Sequence, residues 1–231
     1  MFKNRTFILA MISLLGLFGL KKVTAQDWPN LKKYQSANST LLKGEFDTNR
    51  VVFMGNSITE GWANENPSFF TKNPYVNRGI GGQTTPQMLL RFRQDVIELK
   101  PRIVVILAGT NDIAGNTGPI TLEQIRDNIL SMVQLAKAHN IVPIVCSVLP
   151  AYDYPWRPGL NPNIKIPKLN QLLKQMATEN EVPYLDYFSK MADHRNGLPK
   201  EYTTDEVHLT KKGYQEMEKL VGKALEEAVK N

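Results

Sequence analysis

Val51-Val52-Phe53-Met54-Gly55-Asn56-Ser57-Ile58-Thr59-Glu60-Gly61-Trp62 decides how this chain is read. Four apolar residues make a run of the length and kind expected of a short buried strand. Gly55 and Asn56 break it, and both residue types tolerate the tight backbone of a turn. Ser57 follows at once. In an open α/β sheet, the turn at the C-terminal end of a strand faces the ligand crevice. A serine there is either the cap of the next helix or a lifted nucleophile. The stretch by itself leaves both readings open.

The same alternation repeats downstream. Tyr75 to Arg78 offers a second short strand and runs into Gly79-Ile80-Gly81-Gly82-Gln83-Thr84-Thr85. Three glycines so close together let backbone approach a ligand. Thr84 or Thr85 can cap a helix with Pro86 in its first turn, and Met88, Phe92, Val96 and Leu99 recur at helical spacing. Ile103 to Ala108 is a continuous apolar run, as expected of a central parallel strand. It stops at Gly109-Thr110-Asn111-Asp112. Leu122, Ile125, Ile129, Met132 and Ala136 mark a second helix, and Ile141 to Leu149 a further strand. A proline-rich loop spans 150–165. Ile166, Leu169, Leu173 and Met176 mark a third helix, Val182 to Tyr187 a last strand, and 188–209 an irregular stretch. Tyr214, Met217, Val221, Leu225 and Ala228 lie on one face of a closing helix. Strands alternating with helices predict an α/β domain over 49–231, a parallel sheet with helices on both faces. Residues 26–48 read as a polar N-terminal extension with Trp28, Leu31 and Tyr34 as anchors.

The first 25 residues read differently. Lys3 and Arg5 precede an apolar run from Phe7 to Leu20, and Val23-Thr24-Ala25 offers small residues for cleavage before Gln26. That is the pattern of a secretory signal peptide, with cleavage expected after Ala25. The run is short for a membrane span, so no stable membrane anchor is expected once it is gone and the expected location is secreted or periplasmic; Lys21 and Lys22 after the run leave an uncleaved anchor as the alternative. The full chain has 28 Lys and Arg against 22 Asp and Glu, a formal +6. Lys3, Arg5, Lys21 and Lys22 leave with the leader, so 24 bases then face 22 acids, or +2. That balance gives no case for a nucleic-acid partner. The single Cys146 lies in an apolar run and reads as a core thiol.

In a parallel sheet every strand's C-terminal end points to one rim. Ser57, the Gly79–Gly82 loop, Asn111 and the loop beyond Asp186 are therefore expected side by side. Ester hydrolysis by serine needs a nucleophile, a base, a partner for the base, and donors for the oxyanion. Ser57 is the candidate nucleophile. The backbone N–H groups of Ser57 and Gly82 and the Asn111 side chain are candidate oxyanion donors. Asp205 and His208 are the candidate base pair, because an Asp three residues before a His can fold back onto one ring nitrogen. Surface or capping roles remain open for each of the two alone. Thr210 is placed to cap the closing helix. Asp186, Asp193, His194, Asp205 and His208 match no tight metal-ligand spacing, and neither a metal nor a cofactor is expected.

Gly55-Asn56-Ser57-Ile58, Gly79-Ile80-Gly81-Gly82, Gly109-Thr110-Asn111-Asp112 and Asp205-Glu206-Val207-His208 resemble, in order and spacing, the four sequence blocks of the SGNH hydrolases, or GDSL lipase/esterase family. The strings Gly-Ile-Gly-Gly-x-Thr-Thr and Asp-x-x-His-Leu-Thr look most like the branch with the platelet-activating-factor acetylhydrolase α-subunits and many bacterial acyl- and acetylesterases. The resemblance implies a flavodoxin-like three-layer α/β/α sandwich. It implies Ser57, Asp205 and His208 as the triad, and Ser57, Gly82 and Asn111 as the oxyanion hole. Two positions depart from the pattern: the block-one Asp is Asn56, and the Asp common in the glycine loop is Gln83.

The 150–159 loop should overhang the same rim. Trp156 and Tyr154 either stack on a sugar or acyl group or pin the loop, and Arg157 either meets an anion or is solvated. The expectation is a secreted esterase removing short acyl groups, acetyl foremost, from a carbohydrate or another small polar ester. A lysophospholipase or thioesterase is the alternative within enzymes, and a catalytically silent glycan-binding module the alternative outside them.

Overall fold

A computed structural model describes residues 26–230; the expected leader and its cleavage point lie outside the described residues. Five strands form one sheet in the order β2-β1-β3-β4-β5, and every pair is parallel. They are β1 (Val51–Gly55), β2 (Tyr75–Gly79), β3 (Ile103–Leu107), β4 (Val142–Cys146) and β5 (Tyr184–Leu185). β1 and β3 are buried at every position, which is what a strand with helices on both faces requires. Gly55 is in register with Gly79 and with Leu107, so three strands end level with one another just before Ser57.

The helices are α1 (Lys32–Lys43), α2 (Ser57–Glu65), α3 (Pro67–Thr71), α4 (Thr85–Asp95), α5 (Thr110–Ile113), α6 (Leu122–Ala138), α7 (Pro162–Glu179), α8 (Phe188–Met191) and α9 (Lys211–Lys230). On one face α4, α6 and α7 pack side by side, with α1 laid on α4; on the other, α9 packs against α2. The result is the three-layer α/β/α sandwich. Phe53 anchors the α2 side: its ring lies 5.6 Å from Trp62 and 5.5 Å from Phe70, and Trp62 stacks on Tyr214 of α9. Aromatic pairs of this kind add to plain burial.

Helix α7 opens at Pro162, inside the expected 150–165 loop, and α8 lies inside the expected irregular stretch; three further segments differ from the sequence expectation, each for a physical reason. The strand expected to reach Leu149 stops at Cys146. Beyond it the Asn170 side chain takes the place of a neighbouring strand, accepting from Val148 N–H at 2.7 Å and donating to Val148 O at 3.0 Å. The last strand is only two residues long, because the chain turns at Asp186, whose carboxylate accepts the Ser189 N–H. Residues 32–43 form a helix whose apolar signal is weak; what docks it is polar, since Asn38 is buried and donates to Asp95 Oδ1 at 2.8 Å.

Candidate active site

Asn56, not Ser57, caps α2. The Asn56 side chain accepts the Ile58 N–H at 3.0 Å, and Ser57 is the first helical residue. This leaves the serine hydroxyl free, and it sits 2.9 Å from His208 Nε2. The Ser57 N–H belongs to the first helical turn, where no intrahelical acceptor exists, and the positive end of the helix dipole lies there.

The loop before α9 holds the imidazole. Asp205 Oδ2 lies 2.6 Å from His208 Nδ1. Its Oδ1 accepts the backbone N–H groups of His208 at 2.7 Å and Val207 at 3.0 Å. Burial would raise the Asp205 carboxyl, but those three hydrogen bonds and the charge of His208 outweigh it and hold the group below its ordinary value. Thr203 Oγ1 closes the loop on His208 O at 2.8 Å, and Thr210 Oγ1 caps α9 through Gly213 N–H. Glu206 at the tip takes the left-handed backbone, φ 72°. The side chains of His208 and Asp205 are about 40% exposed, 42% and 40%, so the site is an open rim.

The glycine loop stands opposite. Gly79 is a glycine because a Cβ there would come 2.1 Å from the Glu60 backbone nitrogen. Gly82 has φ 74°, a conformation other residues adopt only with strain. Among the described residues the Gly82 N–H has no protein acceptor. Its neighbours are committed: Gly81 N–H to Glu60 Oε2 at 2.7 Å and Gln83 N–H to Ile80 O at 3.3 Å. Asn111 Nδ2 spends one hydrogen on Gln83 O at 3.0 Å and keeps the second. Asn116 Nδ2 holds Gly82 O at 3.0 Å.

The 150–159 loop is divided in function. Tyr154 is fully buried, and its hydroxyl bonds Thr110 Oγ1 at 2.8 Å and Thr110 O at 3.0 Å. It has no surface for a substrate and pins the loop to α5, the element that carries Asn111. Arg157 donates to Ala114 O and Gly115 O and ties the same two segments together. Trp156 stacks on Tyr154 and stays 45% exposed, with its ring 6.2 Å from that of His208. Of the three loop residues for which the sequence leaves substrate contact as one of two open readings, Trp156 is the one left open beside the histidine.

Behind the glycine loop lie residues that the sequence reading did not single out. Arg91 is fully buried. It donates to Gly55 O at 3.0 Å, Gln83 Oε1 at 2.5 Å and Asp95 Oδ2 at 3.0 Å. Burial pulls its guanidinium down from the usual value, and the Asp95 carboxylate works against that pull. Arg78 lies under Tyr34 and donates to Asn38. Asp112 accepts from Thr85 N–H and Oγ1, and burial pushes its carboxyl up to about 6. The one available signal was the i, i+4 pair Arg91 and Asp95 on the buried side of a helix that also carries Met88 and Phe92.

The sequence profile of the GDSL-like lipase/acylhydrolase family matches residues 53–216. The chain belongs to this family. Membership makes it an acylhydrolase of the esterase kind. The solved structure of a GDSL-like lipase from Bacteroides thetaiotaomicron is 46% identical, with a TM-score of 0.84 over 87% of this chain and 99% of that one. The rat platelet-activating factor acetylhydrolase IB subunit alpha2 is 30% identical over 175 residues, 71% of this chain and 70% of its own. An uncharacterized lipoprotein of Bacillus subtilis is 37% identical over 81 residues, and the chain spans only a third of its length. Among the described residues no helix is long and apolar enough to cross a membrane.

Proposed function

We propose that the chain is a secreted serine esterase that removes short acyl groups, acetyl foremost, from a polar alcohol such as a carbohydrate. The observation that carries this reading is the unbroken chain Asp205–His208–Ser57, together with a Gly82 N–H that has no acceptor among the described residues. In this reading Ser57 Oγ attacks the ester carbonyl while His208 Nε2 takes its proton. Asp205 holds the other ring nitrogen and stabilises the imidazolium. The oxyanion accepts from the N–H groups of Ser57 and Gly82 and the free Asn111 amide hydrogen. His208 then protonates the departing alkoxide, leaving an acyl-serine. A water deprotonated by His208 attacks that ester, and the acid leaves with Ser57 regenerated.

The open rim supports a large polar leaving group, since bulk on the alcohol side stays in solvent. Trp156 supports a sugar-stacking role, being an exposed ring beside the base. The acetylhydrolase relative supports a short acyl group. The experiment measures p-nitrophenol release from acetate through octanoate esters, alongside acetate release from acetylated polysaccharide and hydrolysis of lysophospholipid. Ser57→Ala is expected to lower turnover on acetate by about 10⁴-fold or more. Turnover that survives Ser57→Ala overturns the mechanism, and a preference for octanoate and lysophospholipid overturns the substrate. N-terminal sequencing of exported protein tests the leader, with Gln26 expected first.

A further inference from the structure

Glu60 takes no part in the reaction above, yet it joins three parts of the site. It lies one turn beyond Ser57 on α2. Its Oε2 accepts the Gly81 N–H and its Oε1 meets the Lys33 ammonium, both at 2.7 Å. A Cβ on Gly81 would lie 3.1 Å from that carboxylate and 3.9 Å from Ser57 Cβ, so the glycine loop passes close to both side chains. The segment that supplies Lys33 grips the loop at two further points. Tyr34 Oη donates to Gly79 O. Pro29 O accepts from the Gln83 side chain at 2.7 Å, and the Gln83 carbonyl is the atom that orients Asn111. The family profile begins at residue 53, so this grip comes from outside the part of the chain that the family profile covers.

We propose that Glu60 is a positioning residue for the oxyanion donors, that Lys33 neutralises it, and that α1 is thereby part of the catalytic unit and not a surface extension. The proposal rests on the serine-esterase reading. A carboxylate grips an N–H more strongly than a neutral acceptor does, which fixes the Gly81–Gly82 peptide. A bare negative charge near the developing oxyanion opposes the same transition state. Lys33 removes the second effect and leaves the first. Position and charge therefore separate in different variants.

The test measures kcat and KM on p-nitrophenyl acetate for the full chain, with amide hydrogen exchange read at Gly81 and Gly82. Glu60→Ala is expected to lower kcat by roughly tenfold to a hundredfold, the scale of an ångström of misplacement, with KM within about twofold and faster exchange at Gly81, whose N–H the carboxylate holds. Lys33→Met is expected to lower kcat roughly fourfold at low salt, the scale of one unneutralised charge across partly solvated space, and less at high salt. Lys33→Arg should restore kcat. Combining Lys33→Met with Glu60→Gln should remove the charge defect and return kcat to that of Glu60→Gln alone, and Lys33→Met by itself should leave exchange at Gly81 unchanged, whereas a purely structural ion pair would lose that protection together with kcat. The proposal is overturned if Glu60→Ala leaves kcat and exchange unchanged, or if the Lys33→Met loss persists in the double variant. Should Glu60→Ala fail to fold, the Lys33 series decides. Ser57→Ala in the same assay separates the two failures: turnover that survives it removes the esterase reading, while exchange at Gly81 still reports whether Glu60 holds the loop.

Discussion

The loop at 203–210 holds His208 mostly with bonds that stay inside it, whereas the glycine loop at 79–83 is held by side chains from α1, α2, α4 and α5. Asp205 reaches only two and three residues ahead, to Val207 and His208, and Thr203 reaches five. Across Ser57, the glycine loop depends on Tyr34, Glu60, Arg91 through Gln83, and Asn111. The proposed base is therefore placed by local sequence and the proposed oxyanion donors by the tertiary fold. Damage to the first should cost catalysis with little stability, and damage behind the second should cost stability first.

The largest effect expected on this contrast is that of Asp205→Ala. Without its carboxylate the imidazole loses its orientation and its countercharge. Turnover is expected to fall about 10⁴-fold. The urea unfolding free energy should fall by less than about 1 kcal/mol, because the lost pair is half-exposed and its bonds are local. A stability loss on the scale of the catalytic loss would break the contrast. Next comes Arg91→Leu, which leaves Asp95 charged and buried without its partner, the two side chains being 0% and 1% exposed. Breaking such a pair costs about 3–5 kcal/mol. Equilibrium urea unfolding should show that loss, while the variant that remains folded keeps a working Asp205–His208 pair. An unchanged midpoint would mean that the glycine loop does not depend on what lies behind it.

This division also accounts for what could be read from the residues. Val51–Met54 and Ile103–Leu107 announce themselves by composition, and their neighbouring loops contain Ser57 and Asn111, so strand ends and proposed site residues are adjacent in sequence. The fold follows from the alternation of strand and helix, and the family profile and solved relatives agree with it. Helix α1 escaped because its docking is polar: Asn38 on Asp95 and Tyr34 on Gly79 leave no apolar stripe to count. Glu60 escaped because its partner Gly81 lies 21 residues away, and the near pair of Arg91 with Asp95 does not reveal its contact with the strand end at Gly55, 36 residues away. Tyr154 and Trp156 sit two residues apart with the same composition signal. Only packing makes one a buried pin and the other an exposed wall.

The smallest expected effect, and the one that separates the two regions by sign, is in their response to pH. Asp112 ties α4 to α5 behind the glycine loop by accepting both the N–H and the hydroxyl of Thr85, at 2.9 and 2.6 Å. Burial raises it to about 6 against an ordinary 3.8, with the Thr85 bonds offsetting part of the rise. The folded chain thus keeps a proton on Asp112 at pH values where the unfolded chain has lost it. The stability this group contributes is present below pH about 4 and is lost as pH rises through about 6. Asp205 behaves in reverse: its lowered group contributes stability above the ordinary carboxylate range, lost as pH falls. Asp112→Asn should abolish the first term and keep the second. Between pH 4 and 6.5 the native chain should lose on the order of 2–3 kcal/mol relative to the variant, measured as the difference of their urea unfolding energies, in which Asp205 and every shared carboxylate cancel. A difference that stays flat over that range would show that Asp112 is ionised throughout and that Thr85 holds it as a charge. The rear of the glycine loop would then be a second ion-stabilised region with the same pH response as the histidine loop, and the contrast between the two would rest on Arg91 alone.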